Sequence, residues 1–155
     1  MKKAAGILLI ITLVLTLCSC YYSDPVIDSL PEYKNKSFYT SGGFQDYTDY
    51  AKYTYESVAV QEIKASKYFS MVTDEDIHEI LLHIYNFEEW VKIIGGELEN
   101  NYDFDINTVS AGDFFYIKTK AGQPIGQGTY GKYDYYTVYF FDVDTKILYY
   151  FHSNI

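Results

Sequence analysis

Two histidines lie close together in a stretch that is predicted to be helical. His78 and His83 enclose Glu79 in the order H-E-x-x-x-H. A zinc site on one helix needs ligands at positions i and i+4, whereas positions i and i+5 are about 140° apart around the axis. We therefore expect no metal here, and predict two solvent-side histidines with Glu79 beside His83. The sequence leaves open whether His152 approaches them in space.

An acidic segment begins like a calcium loop. Asp103, Asp105 and Asn107 follow the order D-x-D-x-N. An EF-hand loop then needs glycine at its sixth position and glutamate at its twelfth, where this chain has Thr108 and Phe114. The bidentate carboxylate is missing, so we predict a solvated acidic loop. A weak ion site that includes nearby glutamates is the alternative.

The remaining motifs do not assemble an active site. Gly126–Gly131 matches G-x-G-x-x-G, but dinucleotide binding needs a helix directly after it, and here a strand is predicted. The sequence contains no G-x-S-x-G nucleophile elbow. A carboxylate pair for glycoside hydrolysis cannot be selected among 21 acidic residues. We therefore predict no catalytic residue, no cofactor and no metal, and interpret the glycines as a connection between strands.

The first twenty residues have the order of an export signal. Lys2 and Lys3 precede an apolar run over residues 4–17. Spanning a bilayer takes about 20 apolar residues, so this shorter run is typical of a cleaved signal peptide.

The end of that signal carries specific cysteine chemistry. The segment Leu17-Cys18-Ser19-Cys20 resembles the lipobox of prokaryotic lipoproteins, with Leu17 at −3 and the small Ser19 at −1. The resemblance implies that the Cys20 thiol receives diacylglycerol and that the mature protein starts at Cys20. Cys18 does not fit the lipobox, because Leu17 directly before it is too large for the small-residue position −1. An ordinary secretory signal with incidental cysteines is the alternative.

Location and charge follow from this reading. Several acyl chains on Cys20 would hold the protein stably on the extracytoplasmic side of a cell membrane, which makes the membrane its first partner. Loss of Lys2 and Lys3 takes the formal net charge from −9 by two units to −11. Every cation is a lysine, so guanidinium recognition of phosphate is absent and the acidic surface repels nucleic acid. Nucleic acid is excluded as a partner, whereas a protein or glycan partner is compatible.

We divide the chain into a signal peptide (1–19), a tether (20–37) and one globular domain (38–155). Pro25 and Pro31 lie in the tether, which lacks apolar periodicity. At about 3.3 Å per residue it would hold the domain up to about 55 Å from the membrane. No disulfide is possible in the mature chain, because Cys18 leaves and Cys20 is acylated.

The periodicity predicts an α+β fold with a helical N-terminal half on one face of a C-terminal antiparallel meander. A weakly patterned helix is expected over 44–55. A second helix is expected to begin after Thr73, with Asp76 completing its N-cap, and to end at Gly95, with Asn86 as a possible kink. Strands are predicted at Phe114–Lys120, Tyr133–Asp142 and Ile147–His152, the last two as a hairpin, with a shorter one between Tyr102 and Val109.

Tyrosine is the most unusual component, with 19 residues in 155. Alternation in the strand Tyr133–Asp142 places Tyr136, Val138 and Phe140 toward the helices, and Phe115 and Ile117 of the preceding strand with them. The opposite face would carry a contact strip, for which the candidate residues are Tyr116, Tyr135 and Tyr139. The alternative is that these tyrosines pack beneath the segment 44–55.

These observations favour a membrane-anchored, non-catalytic binding module, such as an inhibitor or immunity-type protein whose acidic face meets a basic partner. An extracytoplasmic hydrolase acting on glycan or peptide is the alternative. A structural subunit of a membrane-bound assembly is the third class.

Overall fold

The computed structural model describes residues 23–43 and 46–155, so the signal peptide and Cys20 lie outside the described residues. The fold is mixed α+β. Its strands are β1 (Asn35–Gly42), β2 (Tyr47–Thr54), β3 (Ser70–Met71), β4 (Phe114–Thr119), β5 (Pro124–Ile125), β6 (Gly128–Thr129), β7 (Tyr135–Asp142) and β8 (Ile147–Asn154). Its α-helices are α1 (Ala59–Ala65), α2 (Asp74–Ile94) and α3 (Glu97–Asn101), and 3₁₀ turns occur at Ile27–Ser29 and Ile106–Thr108.

Six strands form one antiparallel sheet in the order β1-β2-β8-β7-β4-β3. β7 and β8 form the predicted hairpin, with Asp142 opposite Ile147 and Tyr135 opposite Asn154. The G-x-G-x-x-G segment lies in the connection between β4 and β7, as predicted, and contributes to the small hairpin β5–β6. Gly126 has a φ of +51°, a value that glycine adopts without strain.

α2 begins and ends where the sequence predicts. The Asp76 carboxylate accepts hydrogen bonds from the Thr73 backbone N–H (2.9 Å) and hydroxyl (2.6 Å), and completes a capping box. The helix ends at Gly95, whose φ of +68° favours glycine. Asn86 does not interrupt it, and its side-chain oxygen accepts a hydrogen bond from the Tyr136 hydroxyl.

The sheet is covered on both faces. We call the face under α2 the first face, where Tyr136, Val138 and Phe140 pack against the helix with Phe115 and Ile117 at the edge, as predicted. The second face is covered by α1 and by the segment 24–33. Its core consists of Val26, Ala51, Tyr53, Tyr55, Ala59, Ile63, Phe69, Phe114, Tyr139, Phe141, Leu148 and Tyr150.

The prediction of a helical N-terminal half on one face is wrong. Strands β1 and β2 come first, and β2 occupies most of the segment that we expected to be helical. Tyr50 is buried in the first-face core and Ala51 and Tyr53 in the second, so β2 is apolar on both faces. A strand buried on both faces loses its period-2 alternation, and the remaining spacing resembled a helix.

Two further expectations are corrected. The strand expected between Tyr102 and Val109 is absent from the described residues there, which instead contain the 3₁₀ turn Ile106–Thr108. The Asp105 carboxylate accepts a hydrogen bond from the Asn107 N–H at 2.9 Å, an Asx turn that competes with extended backbone.

The second corrected expectation is the tether. Its part from 24 onward packs on the sheet. The Asp24 carboxylate accepts a hydrogen bond from the Val26 N–H at the start of the 3₁₀ turn, and Val26 is 3% exposed in the second-face core. Its last residues, from Asn35, already belong to β1.

Candidate functional site

A groove crosses the part of the second face that neither α1 nor the segment 24–33 fills. We call it the second-face groove. It has a volume of about 400 Å³, within the range of small-molecule sites. It is lined by Lys36, Phe38, Tyr47, Asp49, Tyr150 and His152.

Strand register explains why these residues meet. Asp49 of β2 is paired with His152 of β8, and His152 is paired on its other side with Thr137 of β7. Directly paired side chains on one face are about 5 Å apart at Cβ, so the three form a polar row across the sheet. The row is flanked by aromatic residues two positions away along each strand, including Tyr47 and Tyr150.

His152 is a neutral hydrogen-bonding group in the floor of the groove. It is 3% exposed, and its Nδ1 is 2.9 Å from the Thr137 hydroxyl oxygen. Burial is the main cause that lowers the pKa of His152, the nearby cations Lys118 and Lys120 add to it, and a hydrogen bond with the Tyr136 backbone opposes it, so that the pKa is about 4. Near pH 7 the imidazole is therefore uncharged.

Asp49 supplies the carboxylate of the groove. Burial raises the pKa of Asp49, and a hydrogen bond with Thr40 opposes that effect. Burial of Tyr47 and the neighbouring Asp49 charge both raise the pKa of the Tyr47 hydroxyl. A partly desolvated carboxylate is stabilised when a cationic or hydroxyl-bearing group binds it.

Aromatic rings form the walls. The ring centroids of Tyr47 and Tyr135 lie 5.4 and 5.2 Å from that of His152. The Lys36 ammonium lies 5.2 Å from the Phe38 ring centroid, and the Lys120 ammonium lies 3.7 Å from that of Tyr135. Phe38, which lines the groove, and Tyr135, which lies beside it, thus already hold ammonium groups in cation–π geometry, and Phe38 remains 48% exposed.

The structure divides the predicted contact tyrosines. Tyr116 and Tyr135 are half-buried, and their contact role stays a prediction. Tyr139 is 3% exposed and donates a hydrogen bond of 2.8 Å to the Asp24 carboxylate. The prediction that Tyr139 lies on an exposed contact strip is therefore wrong. The cover over Tyr139 is the segment 24–33, which we had expected to be a tether.

The two helical histidines do not form a site together. His78 is exposed, whereas His83 is 1% exposed, which corrects its predicted solvent-side position. The His83 Nδ1 lies 2.9 Å from the Glu79 carbonyl oxygen and 3.3 Å from its carboxylate, so Nδ1 carries the proton and donates. Burial lowers the pKa of His83. Glu79, which lies beside His83 as expected, also pairs with Lys132 at 2.7 Å.

The acidic segment is occupied by contacts within the protein. Asp103 accepts hydrogen bonds from the Tyr50 hydroxyl (3.0 Å) and from the Lys52 ammonium. Asp105 is used by its Asx turn with Asn107. Across residues 23–43 and 46–155 no three histidine, cysteine or acidic side chains are grouped as metal ligands. In the same ranges no helix is both long and apolar enough to cross a membrane.

Sequence reasoning missed the groove residues Lys36, Phe38, Tyr47 and Asp49. Asp49 and Tyr47 were assigned to a helix, and Lys36 to the tether. Period 2 places Tyr47, Asp49, Ala51 and Tyr53 on one face once 47–54 is interpreted as a strand, but apolar residues on both faces conceal that pattern. No protein-family model, curated protein or solved structure matches this chain.

Proposed function

We propose that the protein is a bacterial lipoprotein held on the extracytoplasmic side of a cell membrane by lipid on Cys20, and that it is a non-catalytic binding module. Its ligand lies in the second-face groove. The observation that carries this proposal is the composition of the groove, in which aromatic walls surround one desolvated carboxylate, Asp49, and one neutral imidazole, His152.

The groove supports binding better than hydrolysis. Cleavage of a glycosidic bond by the common mechanism needs two carboxyl groups across the substrate, and Asp49 is the only one among the residues that line the groove. His152 is a poor general base near pH 7 because its pKa is about 4. The hydrolase alternative therefore receives no support from the groove, and the ligand is held by hydrogen bonds and stacking.

Capture from solubilised membranes of the producing cell tests the proposal. The intact lipoprotein is compared with the double variant Tyr47→Ser, Asp49→Asn, and with Ile93→Ser as the matched control. Ile93 is 68% exposed on α2, which covers the opposite face of the sheet. We expect the groove variant to lose its captured protein, glycan or lipid while the control retains it. Equal recovery by all three proteins would refute the groove as the binding site.

A further inference from the structure

The chain between the lipidated cysteine and the folded domain is short. Asp24 is fixed on the second face by the hydrogen bond from Tyr139 and by the burial of Val26. Cys20 precedes Asp24 by four residues, which span at most about 14 Å when fully extended. A lipid on Cys20 therefore holds Asp24 close to the bilayer surface, rather than at the end of a 55 Å tether.

The second-face groove lies beside this attachment point. A smaller hollow lined by Asp24, Lys36, Phe38 and Tyr150 adjoins it and shares three of these residues with it. The Asp24 charge also acts on His152. The groove is consequently within reach of lipids in the leaflet that carries the anchor.

Two opposite charges are present in the groove. The Asp49 carboxylate shares the groove with the rings of Tyr47 and Tyr150, and aromatic rings beside a carboxylate are how proteins recognise ammonium ligands. Lys36 supplies an ammonium that matches a phosphate. An anionic lipid would pair only with Lys36 and would be repelled by the formal net charge of −11 on the mature chain, whereas a zwitterionic headgroup pairs with both Lys36 and Asp49.

We propose that the second-face groove binds the headgroup of a zwitterionic phospholipid from the leaflet in which the Cys20 lipid is inserted. The ligand ammonium lies against Asp49 and the Tyr47 ring, and its phosphate lies toward the Lys36 ammonium, which is 5.2 Å from the Phe38 ring centroid. This inference rests on the proposed function, because it needs both the lipid on Cys20 and the groove as the binding site.

Reconstituted mature protein, acylated on Cys20, provides the test. A fluorophore is attached at Lys118→Cys, an exposed position on the second face, or at Ile93→Cys on α2. Vesicles contain phosphatidylglycerol with increasing phosphatidylethanolamine, and a trace of lipid with a nitroxide on its headgroup quenches nearby fluorophores. We expect quenching at position 118 to rise with phosphatidylethanolamine and to exceed quenching at position 93. With Tyr47→Ser added, the phosphatidylethanolamine fraction for half-maximal quenching should rise about five-fold, the effect of one cation–π contact.

Three results would overturn the inference. Equal quenching at positions 118 and 93 would show that the second face is not turned to the membrane. Quenching that does not change with the phosphatidylethanolamine fraction would exclude this headgroup as the ligand of the groove. Full relief by free phosphoethanolamine at the lipid's own concentration would identify a soluble ligand instead of a lipid. The proposed function fails separately, if mass spectrometry finds no acyl group on Cys20 or if membrane capture is insensitive to the groove variant.

Discussion

Replacement of Val26 by alanine tests whether the segment 24–33 belongs to the folded domain. Val26 is 3% exposed in the second-face core. The substitution removes two buried carbon groups at about 0.8 kcal/mol each and leaves a small cavity, so we expect a loss of about 2 kcal/mol in the free energy of unfolding. A tether would lose almost nothing, because its side chains would be in water in both states.

The matched control is the same substitution at Val58, which is 63% exposed. Urea unfolding followed by tyrosine fluorescence gives the free energy of unfolding for both variants and for the parent protein. We expect Val58→Ala to stay within about 0.5 kcal/mol of the parent. Equal free energies for Val26→Ala and the parent would refute the docking of this segment, and with it the short connection to the membrane.

Three other predictions concern His152, the tyrosines and metal. The folded-state pKa of His152 is about 4, below the ordinary 6.5, so between these values the unfolded chain binds the extra proton and the free energy of unfolding falls as the pH drops from about 6.5 to about 4. The variant His152→Gln should reduce this fall, as measured by urea unfolding at each pH. An unchanged pH dependence in the variant would contradict the prediction. Tyr139→Phe should lower the free energy of unfolding by about 1 kcal/mol, because the hydrogen bond to Asp24 is lost, whereas Tyr135→Phe should lower it less. The reverse order of the two variants in thermal unfolding would contradict the assignment of Tyr139 to the core beneath Asp24. Chelator should leave the melting temperature unchanged, because Asp103 and Asp105 are engaged by neighbouring groups, and a drop reversed by calcium or zinc would reveal a metal site.

The elements that could be predicted from the sequence are those with complete local signals. The box of Thr73 and Asp76 and the glycine at position 95 define both ends of α2. Alternation in β7 correctly assigns Tyr136, Val138 and Phe140 to the first face, because this set is more apolar than the opposite one and packs against the long helix α2.

The groove could not be predicted, because β8 is far in sequence from β1 and β2, the two neighbouring strands that supply the other groove residues. Asp49 and His152 meet only through the pairing of β2 with β8, a long-range choice that no local pattern contains. The doubly buried β2 lacks the apolar–polar alternation that would mark it as a strand. In the segment 24–33, Val26 is buried and Ile27, Leu30 and Tyr33 pack beside it, but their spacing follows no regular period that would predict this docking. The packing of the second face is therefore a tertiary property, whereas α2 and the β7–β8 hairpin are largely local.

Photocrosslinking in membranes isolated from the producing cell tests the central claim most directly. A photoreactive phenylalanine analogue replaces Tyr47 in the groove, or Tyr85, which is 45% exposed on α2, in the full-length lipoprotein. The membrane fraction is then irradiated and the adducts are identified by mass spectrometry. We predict a defined adduct from position 47 and none from position 85. Adducts from position 85 alone, or equal adducts from both positions, would contradict a ligand site in the second-face groove.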